Sequence, residues 1–523
     1  MYAWVVALNN FGSEVDGGIW VTQSAGATPW TSISDAGITL CGPHQTSEQG
    51  CGVSQGAYNL ELLALANGTA TDLYAGAVNI YKCTIGAPGN PSCNFLNLTH
   101  AYGSCASTER VHPDQHRFAG MIANGKEVLY FANDGGIYRA LDGFTGLTGG
   151  NCEPNQFDSL NQTLGSMTQF VSFSIHPTDS ATLLGGTQDN GSPATSAATG
   201  LQWKNVHAGD GGYNAILPNS PLDWLASYPD TGGQTLQIDH CANGINCTDP
   251  AFSPVVTSAN LGNDDGGFYF PYILDPQSPS TLLLGTCRIW RVANVTNPTA
   301  YTVLSSVFEP AATPPCTGSE VNVVRAIAAG GPTDANGFSK VIYAGTDEAG
   351  PNSDSLAGGR IFVTTDASVA TPVFAEVQGA INPNHYPIAS IAVDSSDASG
   401  QSAFAGIMGF HVSHVFKTTN AGASWTDFTG GLPDAPVNSL LVDETAGMLY
   451  AGTDVGVFVS PTSAANWTEV GPAGASGASG FLPYVPVTAL RLFNSGGRKL
   501  LRALDLWTRG VAEQPDHHSG FHD

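Results

Sequence analysis

Charged side chains are scarce in this chain. They make up 11% of its 523 residues, against roughly 25% in an average globular domain. Cations are the rarest of them, with 17 Lys and Arg against 43 Asp and Glu and a formal net charge of −26. A surface this negative repels phosphate backbones, so neither nucleic acid nor an anionic membrane is expected as a partner. It suits solubility, a cation or a neutral polymer. No apolar run approaches 18 residues, so no membrane span is predicted. No Cys-x-x-Cys occurs, which argues against a zinc ribbon. No secretory leader is visible; the chain opens Met1-Tyr2-Ala3-Trp4-Val5, which reads as a strand, and the reading is that a leader has been removed.

What is present points to many short strands. Apolar residues make up 42%, and 63 Gly with 32 Pro supply frequent turns. Val, Ile, Tyr, Phe and Thr between such turns favour strands over long helices. Ten cysteines fall as close neighbours, Cys41/Cys51, Cys83/Cys93, Cys105/Cys152, Cys241/Cys247 and Cys287/Cys316. An even number at short spacing reads as local disulfides and an oxidising compartment, secreted, extracellular or periplasmic. Sequence alone does not fix their connectivity. Seven Asn-x-Ser/Thr sites, Asn67, Asn97, Asn161 and Asn294 among them, would matter only in a glycosylating host.

The chain repeats itself, and that is its most informative property. Asp16-Gly-Gly-Ile-Trp-Val-Thr follows Tyr2-Ala-Trp-Val-Val, and Asp134-Gly-Gly-Ile-Tyr-Arg follows Val128-Leu-Tyr-Phe-Ala. Gly359-Arg-Ile-Phe-Val follows Val341-Ile-Tyr-Ala-Gly-Thr, and Asp454-Val-Gly-Val-Phe-Val follows Met448-Leu-Tyr-Ala-Gly-Thr. Each reads strand, glycine turn, strand. A further turn ends in Trp, most clearly at Thr418-Thr-Asn420-Ala-Gly422-Ala-Ser-Trp425. Alternating apolar runs precede the units and suit innermost strands, as in Ile388-Ala-Ser-Ile-Ala-Val and Val487-Thr-Ala-Leu-Arg-Leu. Nine such strands are predicted, beginning near residues 59, 117, 170, 213, 268, 321, 388, 437 and 487.

The pattern Ser/Thr-x-Asp/Asn-x-Gly-x-x-Trp resembles the Asp-box, or bacterial neuraminidase repeat. The Tyr-Ala-Gly-Thr-Asp-x-Gly-Val-Phe pattern is similar to the blades of sialidases, sortilin-type receptors and xyloglucanase-type glycosidases. The resemblance implies an all-β fold, a β-propeller of about nine to ten four-stranded blades across residues 1–523. They would close as one large ring or as two smaller propellers split near 300–330, with 514–523 a disordered tail. In such propellers the chain ends commonly share a blade. The resemblance does not carry over catalytic residues: the sialidase arginine triad is not identifiable, and Arg288, Arg325 and Arg509 match no motif. Asn420 is expected to be a turn device bonding its own backbone.

Propeller geometry places the loops that enter innermost strands, and those joining second to third strands, on one axial face. These loops hold His112-Pro-Asp114-Gln115-His116, Asp210 with Tyr213, Asp264-Asp265, Arg325, His385-Tyr386, Asp134, Gln188-Asp189-Asn190, Arg288, Asp347 and Trp507. A lone Asp-Gly-Gly is ordinary turn chemistry, but so many acidic, amide and His side chains near one axis suggest a site. Two readings follow. In one, the protein is a secreted binding propeller for a glycan or cell-surface ligand. His112, Asp114, Gln115, His116, Gln188, Asn190, Tyr213, Arg288, Arg325, His385 and Trp507 would then be contacts. In the other it is a glycoside hydrolase, an acid and a base or nucleophile being drawn from Asp134, Asp189, Asp210 and Asp265. Crowded carboxylates would raise some of their pKa values, as an acid catalyst requires. Calcium is a further candidate, with Asp264, Asp265 and Asp347 as oxygen ligands.

Overall fold

A computed structural model shows an almost entirely β protein. It describes residues 1–505 apart from 9–13, 25–28, 40–50, 54, 87–92, 103–110, 149–153, 162–167, 201, 230–234, 309–313, 317–321, 348–357, 378, 380, 472–483 and 497. Trp507, Arg509 and the 514–523 tail therefore lie outside the described residues. Ten antiparallel sheets follow one another along the chain, eight of four strands, one of three and one of two. No helix among the described residues is long and apolar enough to cross a membrane. The chain divides into two compact units, 1–167 and 168–523. The boundary expected near 300–330 thus falls within the second unit.

The first unit holds three sheets. The first is three-stranded, Tyr2–Leu8, Glu14–Val21 and Thr31–Ile33. The second runs from Glu61–Asn67 to Leu96–Asn97, and the third from Gln115–Ala123 to Asp158–Ser159. A buried polar group joins the last two. Tyr74 donates to Glu127 Oε2 at 2.5 Å, and Lys82 pairs with Asp72 at 3.0 Å and with Glu127 at 3.4 Å.

The second unit is a seven-bladed propeller. Its innermost strands are Phe170–Ile175, Asn214–Ile216, Tyr272–Asp275, Val324–Thr333, Ile388–Val393, Val437–Asp443 and Val487–Ser495, numbered here as blades 1 to 7. Six blades have four strands; blade 7 has two among the described residues. The ring closes between blades 7 and 1, where Thr488 Oγ1 donates to Phe170 O at 2.8 Å and Ala489 packs on Phe170, Phe173 and Leu183.

Recurring residues do recurring work. Ser390 Oγ accepts from Leu440 N of the next blade at 3.0 Å, and Ser439 Oγ from Leu490 N at 3.1 Å. Glycines near the end of second strands lie against the first apolar residue of the following blade. A Cβ on Gly285 or Gly345 would come within 2.6 Å of Val324 or Ile388, and one on Gly406 or Gly452 within 2.9 Å of Val437 or Val487. The glycine of Ala-Gly-Thr is therefore a packing requirement. Its neighbouring threonine closes the turn, as when Thr453 Oγ1 donates to Gly456 O at 2.9 Å. In the Asn420 turn, Asn420 Oδ1 accepts from Ser424 N at 2.9 Å and Thr418 Oγ1 from Gly422 N at 2.9 Å. The indoles of Trp425 and Trp467 each donate to a carbonyl of the preceding blade, Val377 O at 2.8 Å and Phe428 O at 3.0 Å.

Three disulfides join described residues, Cys83–Cys93, Cys241–Cys247 and Cys287–Cys316, as the neighbour spacing suggests. Cys51 is also disulfide-bonded. Cys41, Cys105 and Cys152 lie outside the described residues.

Candidate functional site

The propeller axis of the second unit is open. A cavity of about 410 Å³ is lined by all seven innermost strands, with Ser172, Asn214, Tyr272, Arg325, Ser390, Ser439 and Arg491 each contributing. A second cavity of about 410 Å³ shares Tyr213, Arg325, Asn438 and Thr488 with it and forms its mouth. Phe268, Tyr269, Asp347, Met408 and Asp454 complete that mouth.

Local structure explains why these side chains face the opening. Residues 266–271 precede the blade 3 innermost strand, which starts at Tyr272. Phe268 is consequently an exposed loop aromatic, 39% accessible, standing edge-on to Tyr269 at 4.8 Å. Tyr269 donates to Gln188 Oε1 at 2.5 Å, which fixes its ring across from blade 1. Arg325 Nη1 donates to Asp347 Oδ2 at 2.8 Å, and its Nη2 lies 3.4 Å from Met408 Sδ. Asn438 Nδ2 donates to Asp454 Oδ1 at 2.9 Å. The mouth therefore combines two aromatic faces, amide and carboxylate acceptors and a neutralised arginine. Flat rings flanked by polar groups suit a ligand with apolar faces and hydroxylated edges.

Of the expected residues, Arg325, Asp347 and Tyr213 line this mouth, and Gln188 supports it through Tyr269. Asn190 donates to Gln188 O at 3.2 Å, within the turn. Asp189, in a left-handed conformation at φ 63°, donates its backbone N–H to Asp210 Oδ1 at 2.7 Å. The Asp210 carboxylate thereby holds the turn at Asp189, and Asp210 borders a separate cavity with Tyr228 and Gln237. Asp265 is buried, its backbone N–H bonded to Cys316 O at 2.8 Å. His385 has φ 56° and its Nδ1 lies 2.9 Å from Gly358 O, also a turn role.

Two of the three proposed calcium ligands, Asp264 and Asp347, are held by cations. Asp264, fully buried, receives Arg288 Nε at 2.7 Å and Nη2 at 2.8 Å, and Trp290 Nε1 at 3.2 Å. Arg288 also lies over the Trp290 ring at 4.9 Å. Asp347 receives Arg325. Asp264 lies close to Cys287 and Cys316, but their sulfurs form a disulfide and offer no thiolate. These residues do not fit a calcium cage, because two of the three carboxylates already bind guanidinium groups.

The first unit gathers a different set. His116 Nε2 lies 2.5 Å from Asp134 Oδ1, and Tyr58 OH is 3.1 Å from each Asp134 oxygen. The Tyr58 ring meets the His116 ring edge-on at 4.8 Å. Asn59 Nδ2 donates to the buried Asp114 Oδ1 at 2.5 Å. Gln115 Nε2 donates to His112 O at 2.8 Å and its Oε1 accepts from Asn133 at 3.3 Å, anchoring the loop. Burial and the Asp134 charge push the Asp114 carboxyl above its ordinary value, against Asn59, His112 and His116, which pull it down. Asp134 therefore stands with His116, and the other three candidate aspartates lie in the second unit.

Sequence reasoning missed Phe268, Tyr269, Met408, Asn438 and Arg491. Phe268 and Tyr269 were covered by the strand expected near 268. The Gly266-Gly267 pair before them and Pro271 after them were the signals of a loop.

No family model matches this chain, and no curated protein sequence matches it. Among solved structures, the crystal structure of an ancestral GH74 enzyme is similar, at 12% identity and a TM-score of 0.56. The match covers 98% of this chain and 72% of that one. GH74 enzymes are β-propeller glycosidases, and the likeness shows a shared fold.

Proposed function

We propose that this protein is a secreted carbohydrate-binding propeller that holds a glycan at the mouth of the second unit's axial channel. The Phe268–Tyr269 aromatic pair beside the Arg325–Asp347 and Asn438–Asp454 pairs carries this reading. Aromatic faces stack on sugar rings, and the acceptors bond hydroxyl groups. The net charge of −26 favours a neutral polymer over a polyanion. Disulfides suit an oxidising compartment. The test is binding of a panel of neutral polysaccharides by the parent, Phe268→Ala and Tyr269→Ala. At least about tenfold weaker binding in both variants is expected, since one stacking aromatic contributes on the order of 1 kcal/mol or more beyond the bonds it orients. Equal binding by all three proteins removes the mouth from the account.

A second reading, glycoside hydrolysis, draws on the GH74 fold likeness and on the Asp114–Asp134 pair. Burial and the neighbouring Asp134 charge raise the Asp114 carboxyl, which is the direction a general acid requires. Turnover of a polysaccharide by the parent, lost in Asp134→Asn while binding at the mouth persists, supports hydrolysis. No turnover across a broad panel removes it.

A further inference from the structure

Arg491 lies on the blade 7 innermost strand and lines the axial cavity. A guanidinium has five N–H donors. One Nη1 donor reaches Leu490 O at 2.9 Å and one Nη2 donor reaches Ser172 Oγ at 3.3 Å, while the group sits 5.5 Å from the Phe173 ring. Three donors remain. No ion pair among the described residues involves Arg491, whereas Arg288 and Arg325 each bind a carboxylate, at 2.7 and 2.8 Å. No Asp or Glu lines the cavity among the described residues; Ser174, Asn214, Ser390 and Ser439 do. Burial pushes the Arg491 pKa down, but an arginine side chain keeps its proton in proteins. Arg491 is half-buried at the cavity wall, where a guanidinium with unused donors and no counter-charge favours an anionic partner.

We propose that the axial channel of the second unit is an anion site in which Arg491 binds a carboxylate group. One uncompensated positive charge matches a monoanion, since a dianion would carry an unbalanced charge into the channel. The flat fork of donors matches a planar carboxylate better than a spherical halide. Hydroxyl and amide groups around the cavity complete the shell. Because channel and mouth share Tyr213, Arg325, Asn438 and Thr488, the carboxylate enters either as a free small acid or as the uronate of a sugar. The site stands apart from the glycan reading, because the cavity and Arg491 are there whatever binds at the mouth.

Titration calorimetry on the full chain at constant ionic strength tests it, with acetate, glucuronate, glucose and chloride as probes. Saturable binding of acetate or glucuronate is expected, weakened at least about tenfold in Arg491→Gln. Arg491→Lys keeps the charge but removes the fork, so it weakens carboxylates too; it carries the test if circular dichroism shows the Gln variant unfolded. Glucuronate binding more tightly than acetate assigns the sugar acid, and equal binding assigns the free acid. The proposal is overturned if carboxylate binding survives in the variants, if glucose binds as tightly as glucuronate, or if chloride matches acetate. Failure of the glycan reading is scored separately, by neutral polysaccharide binding in Phe268→Ala.

Discussion

Trp425 and Trp467 each tie one blade to the carbonyl at the outer edge of the blade before it. Trp425→Phe keeps a ring and removes the N–H, so it should lower stability by about 1 kcal/mol, read as a shift in urea midpoint. Asn420→Ala should cost a similar ~1 kcal/mol, because Ser424 N loses its acceptor. Asp443 supplies a pH signature. Burial pushes its carboxyl up, but Lys499, the Ala446 N–H and Thr445 outweigh that, leaving it below 3.8. A carboxylate depressed in the folded state stabilises at pH above its unfolded value of roughly 3.9, and that contribution disappears as pH falls through the folded value. Asp443→Asn should therefore destabilise at pH 7 and flatten the loss of stability on acidification, as measured by urea midpoints between pH 7 and 3. An unchanged acid slope would remove Asp443 from the account.

Blade-to-blade spacing is set by the glycines of the second strands. Gly345→Ala places a methyl against Ile388 and should cost about 1–3 kcal/mol by overpacking, with the melting temperature as the readout. A silent substitution would mean that the blades separate without cost. At this scale much was legible in the sequence. The nine expected innermost strands begin within four residues of those observed, at 61, 115, 170, 214, 272, 324, 388, 437 and 487. Alternation and glycine turns are local signals, and strands obey them. The largest discrepancy, at residue 268, is also where the site was missed: Phe268 and Tyr269 looked like strand residues because aromatics favour strands. Arg491 was hidden in the same way, as the polar position of an alternating run. Nothing local announced that it faces a channel without an acidic partner.

The ring of the second unit is closed by residues more than 300 positions apart, which no periodicity could reveal. Thr488 to Phe170 and Arg502 to Ser180 O, at 2.8 and 3.1 Å, join its ends. Deleting residues 487–523 should expose Phe170, Phe173 and Leu183 and leave blades 1 and 6 with open faces. The melting temperature should fall and a hydrophobic dye should bind. The charge of the whole molecule, −26, does not predict a cation lining the axis, and the contrast shows that net charge bears on encounter and solubility more than on any one pocket.

The central claim is that the mouth of the axial channel is where the ligand sits. Hydroxyl-radical footprinting of the full chain, with and without a bound polysaccharide, tests it most directly. Protection of Phe268, Tyr269 and Met408 is predicted, with Tyr58 and His116 labelled equally in both states. Protection of Tyr58 and His116 with Phe268 and Tyr269 unaffected would contradict it.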